Sequence, residues 1–310
     1  MHNRSVVLIY SLLILSAVFW GVSFIMTKGL FLTEPHLTVI ILLTLRLGVA
    51  SMVMVPALAF THKLQPIRRG SGSGVRALLG GDLKWFLLLA LAEPFLYSLC
   101  ETGGVQYVSG SLASVIVATI PLFVPFGMWL VYRTRIRTVM FVGVLLSLVG
   151  VTVMLHGGGA FDGSAKGIIL LVGAVVVAVV YTLILVKVVD RYDPIVVTTY
   201  QNLIGFLYFL PLMLAVDGHS FTLLSFSPKM ILLILALGLL CSTLAYVFYN
   251  YGVRQLGPSE ACIFTNAIPV FSLIAAVAIG QEEFSMVKAI GMAIALTGVV
   301  IAQIKPKQHI

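Results

Sequence analysis

Apolar runs of about 20 residues recur ten times along these 310 residues. That recurrence constrains the fold more than any motif does. A helix needs about 20 mainly apolar residues to cross a hydrocarbon core of about 30 Å. The runs fall at about 5–27, 36–60, 84–105, 109–132, 137–156, 166–187, 194–216, 230–251, 257–280 and 285–304. The joins between them leave no room for a soluble domain. Only 10% of the residues are charged and the mean hydropathy is +1.11, where a soluble domain would carry roughly 25% charged residues. Such a chain cannot hide its apolar surface in its own interior, so lipid must be its solvent over most of its height. Strand-type alternation is absent, which favours a helical bundle over a barrel. The expected fold is an all-α integral membrane protein of ten transmembrane helices. The N-terminal run is too long for a signal peptide and ends in no small-x-small cleavage site, so it reads as the first span.

Charge then orients the bundle. The net charge is +8, a balance that in a soluble chain would point to nucleic acid. Its distribution argues against that partner. With the N-terminus placed in the cytoplasm, 14 of the 19 Lys and Arg fall at inner ends. They include Arg4, Lys63, Arg68, Arg69, Arg76, Arg133, Arg135, Arg137, Arg191 and Arg254. Four fall outside, namely Lys28, Lys166, Lys229 and Lys288, and Arg46 lies within a span. This is the positive-inside signature. It predicts a multi-pass protein of a bacterial inner (plasma) membrane with both termini cytoplasmic. The basic Gly/Ser-rich stretch at 68–76 reads as a flexible linker near anionic headgroups.

An internal repeat sharpens the architecture. A shift of 148 positions carries Gly104 onto Gly252, Ser111 onto Ser259, Pro121 onto Pro269, Gly143 onto Gly291 and Gly150 onto Gly298. The shift moves each helix by five places. Five is odd, so the second copy enters the membrane from the opposite side. Residues 1–156 and 157–310 are thereby expected to be inverted five-helix repeats, an architecture common among secondary transporters. Helices 2 and 7 align through Pro56 and Pro211, which sets Arg46 on Gln201. Glycines 143, 150, 291 and 298 let another helix approach closely, within the monomer or in a homodimer.

Few groups carry more than packing. Arg46 near the middle of the second span is costly in lipid and needs a partner or a wet cavity. Glu93 sits at a similar depth on the third span. The two are expected either to face one another or to share a polar cavity. Glu93, Tyr97 and Glu101 form one stripe at helical spacing, and Pro94 frees a backbone carbonyl beside Glu93. Glu101, nearer the outer mouth, is the better proton-carrier candidate, because pairing with Arg46 would hold Glu93 ionised. Pro121 and Pro269 are expected to kink matched helices. Trp20, Gln201, Tyr246, Tyr249, Asn250 and Asn266 are further candidates for the substrate pathway. No catalytic constellation, cofactor motif or metal-ligand spacing is present. Gly157–Gly159 lacks the context of a phosphate-binding loop. Cys100, Cys241 and Cys262 do not suggest a disulfide framework.

The residues resemble one family over nearly the whole chain. The carrying strings are WGVSFIMTK at 20–28, Arg46, SGSLASVIVATIPLF at 109–123, LGPSEACIFTNAIPVFSLI at 256–274, GQEEF at 280–284 and IGMAIALTGVVIA at 290–302. Together they resemble the EamA-type branch of the drug/metabolite transporter superfamily. That resemblance implies two inverted repeats around a central cavity, with helices 5 and 10 peripheral. It implies a small-molecule cargo such as an amino acid, another metabolite or a drug, often moved outward. It also implies a Glu before the fifth helix of each repeat. Glu282 fills that place in the second half, whereas Thr134 stands there in the first. Glu101 resembles a Glu carried by a subgroup at the end of the third helix. No ATP-binding motif is visible, so ion coupling, with a proton among the candidates, or facilitated exchange is expected. The alternatives are a membrane-embedded enzyme acting on lipid and a non-transporting membrane subunit. The first lacks a visible dyad or metal cluster.

Overall fold

The computed structural model describes residues 2–61, 82–133, 138–156 and 164–303. The linker at 68–76, Thr134, Gly157–Gly159 and the basic residues Lys63, Arg135, Arg137, Lys305 and Lys307 lie outside the described residues. Within them the regular elements are helical throughout. In chain order they are α1 (His2–Thr33), α2 (Val39–Thr61), α3 (Leu83–Val105), α4 (Gly110–Val131) and α5 (Thr138–His156). Then follow α6 (Ala165–Val189), α7 (Pro194–Val216), α8 (Pro228–Leu256), α9 (258–278) and α10 (Met286–Gln303). Seven of these, α1 to α4 and α6 to α8, are long and apolar enough to cross a membrane. The other three hold shorter apolar helices, Phe141–Met154, Phe264–Ala278 and Met286–Ile301. The protein is therefore a multi-pass helical membrane protein. α1 outruns its expected edge at 27, because nothing stops it before Pro35, whose ring disfavours helix at Glu34.

Two pairs of helices are interrupted, and the interruptions correspond under the 148-residue shift. α3 contains a π-helical turn at Leu91–Leu96 and α8 one at Leu237–Leu244. α4 breaks at 118–119 and α9 passes through a 3-10 turn at Cys262–Ala267. The last two breaks come just before Pro121 and Pro269, each in the first turn of the helix that resumes. Proline is tolerated there because its missing N–H would have had no intrahelical partner. Pro125 lies inside Ile120–Tyr132 with no break at it.

Helix starts are set by short polar side chains. Ser109, Ser164, Asp193 and Ser227 accept from Leu112 N, Lys166 N, Ile195 N and Met230 N respectively. Each satisfies one backbone donor the first turn would leave bare.

The bundle has an Asp82 end and a Ser109 end. At the Asp82 end one apolar cluster joins seven helices through Leu13, Leu58, Phe86, Leu89, Leu185, Val196, Val253 and Cys262. Toward the Ser109 end the core divides into two larger clusters, with a smaller one of Leu43, Leu47 and Phe209 on α2 and α7. Phe24, Val105, Leu112, Leu171 and Ile268 belong to one larger cluster, and Leu30, Ile41, Met213, Met230 and Leu237 to the other. Trp20 packs against the Asp82-end cluster and both of the larger Ser109-end ones.

α5 and α10 pack on each other. A Cβ on Gly150 would stand 2.3 Å from Ala295 N, and one on Gly298 would stand 2.6 Å from Gly143 O. The four glycines thus bring these two helices of one chain together, as small residues do in membranes. Their outer faces expose Phe141, Val142, Leu145, Leu148 and Ile290, a surface suited to lipid.

Candidate functional site

Between the divided core and the Asp82-end cluster lies a cavity of about 770 Å³. Its lining combines an aromatic wall with three ionisable side chains of formal charge. Trp20, Phe24, Tyr97, Tyr181, Tyr246 and Tyr249 supply the wall, and Arg46, Glu93 and Glu101 the charges.

Trp20 is fixed at both ends of its ring. Its Nε1 donates to Cys241 O at 3.2 Å, and it meets Tyr246 and Tyr249 edge-on at centroid distances of 5.1 and 5.2 Å. Such edge-to-face pairs favour one ring geometry over a sliding stack. Tyr249 in turn shares a hydrogen bond with Cys262 Sγ at 2.9 Å.

Glu93 owes its position to the interruption of α3. Its backbone is extended (φ −140°, ψ 122°) inside an otherwise helical span. Tyr246 donates to its Oε1, and Ser98 stands 3.3 Å from both carboxylate oxygens. Those donors come from α8 and from one turn further along α3.

Arg46 makes a different contact. Its Nε donates to Ser242 Oγ at 2.5 Å, and Asn202 donates to Ser242 O at 2.9 Å. Among the described residues no ion pair joins Arg46 to Glu93. The two share one cavity rather than facing each other in a direct pair. The helix break turns Glu93 toward hydroxyl donors, and the π-helical turn of α8 brings Ser242 to the guanidinium. Both Glu93 and Glu101 still feel the Arg46 charge across the cavity. Among the described residues Glu101 accepts only from its neighbour Thr102, at 3.3 Å.

Three sequence candidates sit outside the lining. Asn250 is fully buried, and its Nδ2 donates to Thr198 Oγ1 at 3.1 Å. Gln201 is buried behind the wall, beside Tyr181. Asn266 is buried with neither amide atom hydrogen-bonded. Sequence reasoning missed Ser98, Tyr181 and Ser242. Tyr181 carried a usable signal, a lone tyrosine deep within an otherwise aliphatic span. The two serines carried none, since hydroxyls are common in membrane helices.

A second polar group ties helices at the Ser109 end. Glu282 accepts from Ser111 N at 3.1 Å and Ser111 Oγ at 2.5 Å, with Lys288 Nζ at 3.7 Å. Lys28 Nζ donates to the carbonyls of Val105 and Gln106, at 3.1 and 3.0 Å. Gln281 Nε2 donates to Ile25 O at 3.1 Å. A carboxylate at a helix start and an ammonium at a helix end both complement the helix dipole.

A polytopic helical bundle enclosing a charged, aromatic-walled cavity, with no nucleotide-binding motif, defines a membrane-transporter class. The profile of the EamA-like transporter family matches residues 7–156 and again 165–303, so the chain belongs to that family. It is a transporter of the drug/metabolite type and not an enzyme. Among its relatives is the uncharacterized transporter YetK of Bacillus subtilis (strain 168), 29% identical over 273 residues, which span 85% of this chain and 78% of the relative. An uncharacterized transporter of Archaeoglobus fulgidus is 25% identical over 294 residues, 93% of this chain and 96% of that one. One crystal structure superposes with a TM-score of 0.68 at 18% identity, covering 95% of both chains. At that identity the likeness speaks for the fold alone.

Proposed function

We propose that the protein is a secondary transporter that moves small zwitterionic metabolites, amino acids and their relatives, outward across the inner membrane by alternating access. The observation that carries this reading is the cavity. A fixed cation, Arg46, and two carboxylates, Glu93 and Glu101, surround one space walled by aromatic rings. A zwitterion presents one charge to each, and its side chain meets the rings.

The proposed machine is two inverted five-helix repeats, 1–156 and 157–310, with the termini in the cytoplasm. Reciprocal packing supports this. α1 lies against α8 and α9, as α6 lies against α3 and α4; α2 pairs with α7, and α5 with α10. The matched breaks in α3 and α8, and in α4 and α9, support it further. The divided core at the Ser109 end and the single cluster at the Asp82 end favour a state open toward the Ser109 end. Lys and Arg placement makes that the outer face.

The test is a thermal-shift screen of the purified protein against amino acids, nucleosides and organic acids, followed by flux in proteoliposomes. Stabilisation by amino acids and saturable flux are expected. Product formation without flux would convict the enzyme reading, and the absence of both would leave a non-transporting subunit.

A further inference from the structure

We propose that Glu93 is a proton-exchanging carboxylate served from the Asp82 end by a wetted polar file of Tyr246, Tyr181, Gln201, Asn250 and Thr198. Its meaning for transport, exchange of a proton against cargo, rests on the transporter reading above.

The file begins at the cavity floor. Glu93 is 3% exposed, and among the described residues it is bonded only to the hydroxyls of Tyr246 and Ser98, with no cation within ion-pair distance. Tyr246 and Tyr181 are close enough to interact electrostatically. Tyr181 lies beside Gln201, yet neither the Tyr181 hydroxyl nor Gln201 Oε1 makes a protein hydrogen bond of ordinary geometry. On α8, one turn from Tyr246, Asn250 Oδ1 is also buried without a hydrogen-bond partner among the described residues. Thr198 then accepts from Asn250 and donates to Pro194 O at 2.9 Å, in the first turn of α7. Tyr246 and Asn250 are four apart on α8, and Thr198 and Gln201 three apart on α7, so each pair shares a helix face. Polar groups thus succeed one another from the middle of α3 to the Asp82 end.

Buried carbonyls and hydroxyls without protein partners are costly, and bound water is the usual remedy where several converge. Three such atoms, the Tyr181 hydroxyl, Gln201 Oε1 and Asn250 Oδ1, lie on facing helices α6, α7 and α8. Apolar packing would have been the cheaper solution for a wall that only holds helices together.

The charged and titratable groups around Glu93 are few. Arg46 faces it from α2, Glu101 and Tyr97 from its own helix, Tyr181 from α6 and Tyr246 from α8. α7 presents the uncharged Gln201, while its Tyr200 packs tilted against Phe86 and its Tyr208 edge-on against Phe95. In the exchange, protonated Glu93 passes its proton to water in the file, with Tyr246 taking one proton as it releases another. The carboxylate left behind pairs with the ammonium group of cargo in the cavity. A returning proton discharges it. One proton therefore moves for each positive charge released.

Two measurements on the full-length protein test this without any cargo. Radiolytic hydroxyl-radical footprinting labels side chains next to bound water. Tyr181, 6% exposed, should be labelled at least about fivefold more than Phe86 and Phe209, rings 0% exposed in dry packing. In Gln201→Leu the excess at Tyr181 should fall. Infrared pH titration should show a carboxylic-acid band that exchanges with its ionised form and is missing in Glu93→Gln. Labelling of Tyr181 no higher than that of Phe86, or a titrating carboxylic-acid signal undiminished by Glu93→Gln, would overturn the proposal. If Gln201→Leu does not fold, the wild-type labelling ratio and the infrared titration decide. Because neither readout uses cargo, failure here leaves the transporter reading standing. Absent flux in proteoliposomes would strike that reading and leave the wetted file measurable.

Discussion

At the scale of the residue, the cavity separates two charges that sequence alone could only place at similar depth. Arg46 is held by Ser242 and Glu93 by Tyr246 and Ser98. Two outcomes follow. Replacing Arg46 with Gln should weaken binding of carboxylate-bearing ligands about tenfold, the loss of roughly 1.4 kcal/mol for one charge-assisted contact. Amines lacking a carboxylate should bind as before, and titration calorimetry reads both. The second concerns the pair. The double variant Arg46→Glu with Glu93→Arg should not recover what either single variant loses, since there is no ion pair to invert; recovery of flux would show that the two meet during the cycle. The charges were legible because lipid makes an unpaired charge expensive wherever it sits. Their partners were not. A serine or tyrosine within a span costs little, and Ser242 lies 196 positions from Arg46, beyond the reach of any local pattern.

At the scale of the element, glycines divide into those that permit contact and those that do not touch anything. A side chain at Gly150 or Gly291 would run into the backbone of the facing helix, at 2.3 and 2.9 Å. Overpacking of this kind costs about 1–3 kcal/mol. Gly150→Val should therefore lower the melting temperature in detergent, while Gly218→Ala, with nothing within 4 Å of its added Cβ, should leave it unchanged. Equal melting of the two would mean that α5 and α10 do not pack this way in the membrane. The helices themselves were readable as apolar runs, and the breaks in α4 and α9 were announced by Pro121 and Pro269. The π-helical turn of α8 was not. LGLLCSTL at 237–244 contains no proline, and its form depends on what packs beside it, including Gly238, whose added Cβ would stand 2.9 Å from Arg46 O.

At the scale of the whole molecule, the core is continuous at one end and divided at the other. The Ser109 end is organised as two bodies. One is held together by Glu282 on Ser111, Lys28 on the end of α3 and Gln281 on α1. Trp20 sits where both bodies meet the Asp82-end cluster. Alternating access in such a molecule requires the Asp82-end cluster to part while the two bodies close. Phe86 lies at the heart of that cluster, 0% exposed and edge-on to Tyr192 at 5.1 Å. Phe86→Ala removes about 3–5 kcal/mol of packing. If the cluster is the gate, most of that loss falls on the state closed at the Asp82 end, and the population shifts toward opening there. The readout is a cysteine at Val189, 2% exposed within the same cluster, in a background with Cys100, Cys241 and Cys262 replaced. A membrane-impermeant maleimide applied at the Asp82 end should label it slowly in the parent and several-fold faster in Phe86→Ala. Unchanged labelling in a variant that still binds ligand would show that the cluster is a fixed floor, and that the two bodies at the Ser109 end move against it without an opening at the Asp82 end.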